Sequence, residues 1–169
     1  MWNDISKYID QYKDIYGKEL YLKRILSSNI FFSSLGNPNS KIVFLEEDNK
    51  SITESLRNKS DKLFDKILSA VNLNREKIYL LKIKKTDLHP KYITSHLKEK
   101  NFKLIVCLGN NIREIFFSNN NNLLNFKNRI LKYEDFDIIQ TFHPIELLDE
   151  PKLKRSVWED FKLIKSKYL

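Results

Sequence analysis

Residues 136–148 read FDIIQTFHPIELL, an apolar run that leads directly into a histidine and a proline. The run from Phe136 to Gln140 is typical of a strand. Pro144 fixes its own φ and favours an extended conformation at His143, so the imidazole is held where the strand ends. At the carboxyl end of a sheet strand, such a side chain points into the crevice in which open α/β folds bind ligands. A histidine that packs against the core or caps the turn fits the same residues, and both interpretations stay open.

Three further apolar runs are short and continuous: Ile42 to Leu45, Ile78 to Leu81 and Leu104 to Leu108. Runs of this kind, bounded by polar loops, are typical of strands that are buried on both faces of a sheet. Stretches with apolar residues at helical spacing lie between them. Strands that alternate with helices predict an α/β fold of three layers (α/β/α), in which helices cover both faces of a mainly parallel central sheet.

We predict one domain over the whole chain, with an N-terminal helical arm at residues 1–32 and a core at residues 36–169. Residues 33–40, SSLGNPNS, are turn-favouring types and predict a loop before the first strand. Ser60 is the predicted N-cap of the helix that follows it, and Asn72 is the predicted left-handed residue at the end of that helix.

The composition favours a globular protein with a polyanionic partner. The chain has 169 residues, 41% of them hydrophobic, which is enough to bury a core. Its formal net charge of +8 favours nucleic acid above other partners. Lys, Asn and Ile are all abundant, as AT-rich codon usage would give, so the charge alone does not establish that partner.

Cys107 is the single cysteine, which excludes an internal disulfide and any site built from several thiolates. The chain begins without a basic region followed by an apolar one, so we expect no signal peptide. No apolar run is long enough to cross a bilayer. We therefore expect a cytoplasmic protein that has no membrane partner.

The loops that leave the ends of parallel strands converge at one edge of a sheet. Here those loops are Glu46 to Asn49, Lys82 to Thr86, Gly109 to Asn111 and Phe142 to Pro144. We expect the functional site at the place where they meet.

Taken together, these segments resemble the uracil-DNA glycosylase superfamily, most closely its family 4, over roughly residues 36–165. The residues that carry the resemblance are GNPNSK at 36–41, LFDKILSAVNLNREKIY at 63–79, LIVCLG at 104–109, Phe142-His143-Pro144 with Leu147-Leu148, and VWED at 157–160.

The resemblance implies base excision, in which a damaged base is extruded into a pocket at a cost of a few kcal/mol. It implies that His143 faces the base and that Glu47 positions a water molecule. Leu147 and Leu148 would be wedges that enter the duplex. The resemblance also places other residues near the substrate. Those around the base would be Glu46, Asp48, Leu56, Lys82, Asn110 and Phe142, and those in contact with the DNA backbone would be Pro144, Lys84 and Lys85.

The chain departs from the family in its first motif, Gly-Glu-(Ala or Gly)-Pro-Gly, which corresponds here to Glu46-Glu47-Asp48-Asn49-Lys50. Only Glu47 matches. Since glycine lets the backbone come close to a ligand, Glu46 and Asp48 should crowd or reshape the pocket. Consecutive acidic side chains would also repel DNA phosphates unless another group offsets them.

Two further departures concern base recognition. Leu56, or a neighbour, stands where the family stacks an aromatic ring, a contact worth about 1–3 kcal/mol per base. Lys82 stands where the family reads uracil with asparagine, and an ammonium group only donates hydrogen bonds. The cysteines that hold an iron–sulfur cluster in family 4 are missing, so we expect no cluster, no other cofactor and no metal.

These observations favour a DNA-binding protein on a glycosylase-like scaffold, with weak or lost catalysis and an accessory role beside a repair or replication protein. An active glycosylase that removes uracil or another deaminated base is the alternative. A module that binds a small nucleotide or a protein is a third, although no glycine-rich phosphate loop follows any strand.

Overall fold

A computed structural model describes residues 31–84, 89–98, 100–117 and 127–169. The strands are β1 (Phe32–Gly36), β2 (Ile42–Glu47), β3 (Tyr79–Ile83), β4 (Leu104–Leu108), β5 (Ile130–Tyr133) and β6 (Phe136–Thr141). The helices are α1 (Glu54–Ala70), α2 (Pro90–Lys98), α3 (Asn110–Phe116), α4 (Pro144–Asp149) and α5 (Lys154–Tyr168), and a 3₁₀ turn at Pro151–Leu153 precedes α5. Among the described residues, no helix is both long enough and apolar enough to cross a membrane.

The six strands form one mixed sheet in the order β1-β3-β2-β4-β6-β5. The central strands β3, β2, β4 and β6 are parallel, and the edge strands β1 and β5 are antiparallel to their neighbours. Because alternate residues of a strand point to opposite faces, Val43 and Leu45 join one core cluster, while Ile42 and Phe44 join the other.

Helices cover both faces of this sheet. One core cluster takes apolar side chains from α2 and α3, and the other takes them from α1, α4 and α5. The predicted three-layer α/β fold with a mainly parallel central sheet is thereby confirmed.

Two predictions near the start of the core were wrong. Residues 33–36 of the predicted loop belong to β1, because their backbone pairs with β3 although the sequence is rich in serine. Residues 37–40 do form the predicted turn before β2. Helix α1 begins six residues before Ser60: the N-cap is Thr53, whose hydroxyl accepts a hydrogen bond from Leu56 N at 3.4 Å. Ser60 is buried inside the helix. Asn72 has a φ of 64°, which confirms the predicted left-handed end.

Two predictions fall outside the described residues. They are the N-terminal arm up to residue 30 and the phosphate contact of Lys85.

Candidate functional site

The ends of four parallel strands bring the predicted loops together. The register pairs Leu45 of β2 with Cys107 of β4, and Cys107 with Gln140 of β6. On the other side of β2, Glu46 is paired with Lys82 of β3. The residues that follow these positions therefore share one edge of the sheet.

His143 is the N-cap of α4, a short helix that directly follows the strand end. Its Nδ1 accepts a hydrogen bond from Ile145 N at 3.2 Å, and its own backbone N–H donates to Glu146 Oε1 at 2.9 Å. Because Nδ1 acts as an acceptor, the ring proton is on Nε2, which faces the crevice. His143 therefore caps a helix and, at the same time, lines the crevice.

Glu46 and Lys82 form an ion pair beside this histidine. Lys82 Nζ lies 2.9 Å from Glu46 Oε1, and His143 Nε2 lies 3.5 Å from Glu46 Oε2. The Glu46 residue is only 8% exposed. Burial raises the pKa of its carboxyl, but the hydrogen bonds from His143 and Lys82 outweigh burial, so the pKa lies below its usual value. The carboxylate is therefore ionised, with one oxygen held by each partner.

We call Glu46, Lys82 and His143 the ionic trio. The space beside it is a cavity of about 30 Å³, a volume that suffices for about two water molecules. The residues that line this cavity are Glu46, Glu47, Asp48, Asn49, Ile52, Arg57, Ser60, Asp61, Lys82, His143 and Ile145.

An open groove of about 280 Å³ adjoins this cavity and shares several lining residues with it. Its lining residues are Glu47, Asn49, Ile52, Leu108, Gly109, Asn110, Asn111, His143, Ile145 and Glu146. The described residues that line the cavity and the groove include no phenylalanine, tyrosine or tryptophan.

Glu47 lies between the cavity and the groove and lines both of them. Asn111 donates a hydrogen bond to Glu47 Oε2 at 2.7 Å, which orients the carboxylate. Asn111 was missed as a site residue, although its position in the third converging loop was a usable signal. Glu47 and His143 therefore face a common groove, where a water molecule could be held between them.

Of the other residues predicted around the base, Asp48 lines the cavity and Asn110 lines the groove. Phe142 lines neither: its ring packs against the core, and Lys127 Nζ lies 3.6 Å from the ring centroid. Leu56 lines neither, because it lies half-buried in the first turn of α1. Ile52, two residues before α1, lines both spaces and offers no ring for stacking.

The residues predicted to contact DNA differ in how far they are exposed. Leu147 is 1% exposed and packs in the core, so its position does not fit a wedge that enters a duplex. Pro144 is also buried, because it forms the first turn of α4. Leu148 is half-exposed and Lys84 is exposed at the end of β3.

Comparison with known proteins gives one clear result. The family model of the uracil DNA glycosylase superfamily matches residues 33–162, which extend from β1 into α5. No curated protein matches the chain significantly. The matched segment contains the whole sheet except Phe32, and every residue of the ionic trio. This chain belongs to the uracil-DNA glycosylase superfamily.

Proposed function

We propose that this chain is a degenerate, family 4-like member of the superfamily that binds DNA but has weak or lost base-excision activity. Its role is accessory, beside a repair or replication protein. The observation that carries the proposal is the ionic trio, which sets a buried carboxylate against the histidine that the resemblance assigns to the base.

The size of the cavity supports loss of excision. A space of about 30 Å³ is much smaller than a nucleobase, so a base would enter it only if lining residues moved, and the trio is part of that lining. Separation of the trio would leave the Glu46 carboxylate without its partners in a poorly hydrated site. Removing one partner of a buried pair typically costs about 3–5 kcal/mol. Base capture would have to offset that energy in addition to the unstacking of the base.

The chemistry of the trio supports the same conclusion. In the mechanism that the resemblance implies, the histidine stabilises the departing base anion. Here the Nε2 proton of His143 faces a carboxylate. A base anion at about 4 Å from that carboxylate is repelled by about 4 kcal/mol at an effective dielectric constant of about 20, before the Lys82 charge is counted. Lys82 offsets only part of this, because it is held on the other carboxylate oxygen.

Retention of DNA binding is supported by two observations. The chain carries a net charge of +8, and the superfamily to which it belongs is named for an activity on DNA. A positive charge of this size favours phosphate backbones irrespective of sequence.

An active glycosylase with altered specificity is the second candidate. It is favoured by Glu47 and His143, which line one open groove of about 280 Å³. In this alternative a base enters the groove rather than the cavity, Glu47 holds the attacking water, and His143 faces the leaving base.

A single-turnover assay with enzyme in excess over a uracil-containing duplex tests the proposal. We expect no strand cleavage after alkali treatment for the native protein, and the same for His143→Ala. The variant Glu46→Gly with Lys82→Asn removes the ion pair and restores the residue types of the family, and we expect it to gain measurable excision. Glu159→Gln with Lys162→Asn is the matched control, because it removes an exposed ion pair on α5.

Two results would decide against loss of excision. If the native protein removes uracil, hypoxanthine or xanthine, and His143→Ala abolishes that activity, the second candidate is correct. If the variant Glu46→Gly with Lys82→Asn stays as inactive as the control variant, the ionic trio is not what blocks the base.

A further inference from the structure

The two edge strands of the sheet differ in character. β5 has four residues, and one of them, Lys132, has a side chain that is 74% exposed. Lysine on an edge strand hinders the pairing of a further strand. β1 has five residues, FSSLG, and none of them is charged. β1 is therefore open to a further strand, whereas β5 is protected.

The outer side of β1 presents backbone groups to such a strand. Asn37 follows β1, and its N–H donates to Ile78 O at 2.7 Å, so these two residues form a hydrogen-bonded pair of the antiparallel ladder. Hydrogen-bonded and non-hydrogen-bonded pairs alternate along such a ladder. The N–H and C=O groups of Ser34 and Phe32 therefore point away from β3. Within the described part of the chain, no group forms a hydrogen bond with them.

A groove of about 690 Å³ adjoins β1 on the side of the sheet that α1 covers. Leu35 and Leu80, which are paired across β1 and β3, both line the groove, and Leu35 is 58% exposed. In strand addition the main chain supplies hydrogen bonds, and pockets beside the edge accept alternate side chains of the added strand. A side chain opposite Leu35 would lie about 5 Å from it, at the mouth of this groove.

The far wall of the groove is acidic, although the protein is basic. Asp61 and Asp65 of α1 line it, with side chains that are 46% and 54% exposed, and so does the exposed Glu76. Arg75 serves both aspartates, with Nη2 3.0 Å from Asp61 Oδ1 and Nε 2.6 Å from Asp65 Oδ1. Three carboxylates therefore face one guanidinium on this wall. We call these four residues the acidic wall.

Neighbouring lysines do not occupy the acidic wall. Lys82 lines the groove but is bound to Glu46 at 2.9 Å. Lys62 and Lys66 are exposed on α1, but they do not line the groove, because each follows an aspartate and points about 100° away around the helix. The acidic wall therefore favours a cationic side chain in the groove.

The acidic wall reaches the end of β1. A Cβ atom on Gly36 would lie only 2.7 Å from Arg75 O, so the turn that carries Glu76 packs directly against this end of the strand. Alternate residues of a strand share one face. On an added strand, a residue two places from the one opposite Leu35 would therefore lie on the same face, towards Glu76.

We infer that β1 binds an extended segment of a partner protein by strand addition. The segment places an aliphatic side chain beside Leu35 and a lysine or arginine, two residues away, against the acidic wall. The inference rests on the accessory part of the proposed function, which requires a partner protein. A second copy of this chain does not fit as well, because its own β1, FSSLG, brings no cation to the wall.

An NMR titration of the isotope-labelled full chain with a synthetic peptide tests the inference. The probe is acetylated and amidated Thr-Val-Thr-Lys-Thr-Val-Thr, which places its valines and its lysine on one face when extended. We expect the backbone amide signals of Phe32 and Ser34 to shift as the peptide is added. Exchanging the peptide's lysine for glutamate should weaken binding about three- to fivefold, because the acidic wall then repels the side chain.

Ser34→Pro is the decisive variant. It removes an N–H group that points away from β3, so the ladder between β1 and β3 keeps all its hydrogen bonds. We expect it to bind the peptide at least about tenfold more weakly, since a hydrogen bond is lost and the ring hinders pairing. Ser34→Val keeps the N–H group and is the matched control, which should bind within about twofold of the native protein.

Leu35→Lys is a second, independent variant. It places a lysine on this edge, as Lys132 does on β5, and should also weaken binding at least about tenfold. Ser34 and Leu35 are both exposed, so all three variants should unfold in urea close to the midpoint of the native protein, which separates lost binding from lost folding.

Three results would overturn the inference. The first is a titration in which the signals of Phe32 and Ser34 do not move, and the second is equal binding by Ser34→Pro and Ser34→Val. The third is light scattering in which the native chain dimerises and Ser34→Pro stays monomeric, because the occupant of β1 is then a second copy. The single-turnover excision assay tests the proposed function without the peptide, so a failure of either one is recognised separately.

Discussion

Replacing Lys82 by methionine tests the ionic trio most directly. The substitution keeps the length of the side chain but removes the ammonium group that lies 2.9 Å from Glu46 Oε1. The Glu46 carboxylate, whose side chain is 11% exposed, then keeps only His143 at 3.5 Å. Breaking a fully buried pair costs about 3–5 kcal/mol. Because the Lys82 side chain is 21% exposed, water compensates in part, and we expect a loss of about 2–3 kcal/mol.

The double variant Glu46→Gln with Lys82→Met should recover at least half of that loss, because it leaves no uncompensated charge. Urea unfolding followed by circular dichroism near pH 7 measures the four proteins of the cycle. For a chain of 169 residues the single substitution corresponds to a fall in Tm of about 5–10 °C. Lys162→Met, which breaks the exposed pair with Glu159, is the control and should cost less than about 0.5 kcal/mol. A coupling energy below about 0.5 kcal/mol between positions 46 and 82 would refute the account of the site.

Two further predictions concern the same fold. The folded-state pKa of Glu46 is below its ordinary value of 4.5, so its contribution to stability is complete above that value and is lost as the pH falls through the folded-state pKa. In urea titrations Glu46→Gln should therefore flatten the loss of stability as the pH falls below 4.5, and an unchanged pH profile would contradict this. Lys127→Met removes the cation 3.0 Å from Asp160, whose side chain is fully buried. We expect the free energy of unfolding, measured in urea, to fall by about 3–4 kcal/mol. A loss as small as that of Lys162→Met would show that Asp160 needs no counter-ion.

The sequence predicted the central strands well because their signal is local. β2 and β4 are short apolar runs with β-branched residues, which are typical of strands buried on both faces and too short for a buried helix. β1 was missed because its residues, FSSLG, favour turns, and only the pairing with β3 makes them a strand. The start of α1 was misplaced because Ser60 is a good capping residue that instead lies buried within the helix, beside the cavity, and tertiary packing decides this.

The site was predicted in outline but not in its contacts. Parallel topology alone brings the loops together, so Glu47, Lys82 and His143 could be assigned to one crevice in advance. The pairing of Glu46 with Lys82 depends on the register between β2 and β3, which the sequence does not specify. The capping role of His143 depends on α4, whose six residues are too few for a reliable helical period.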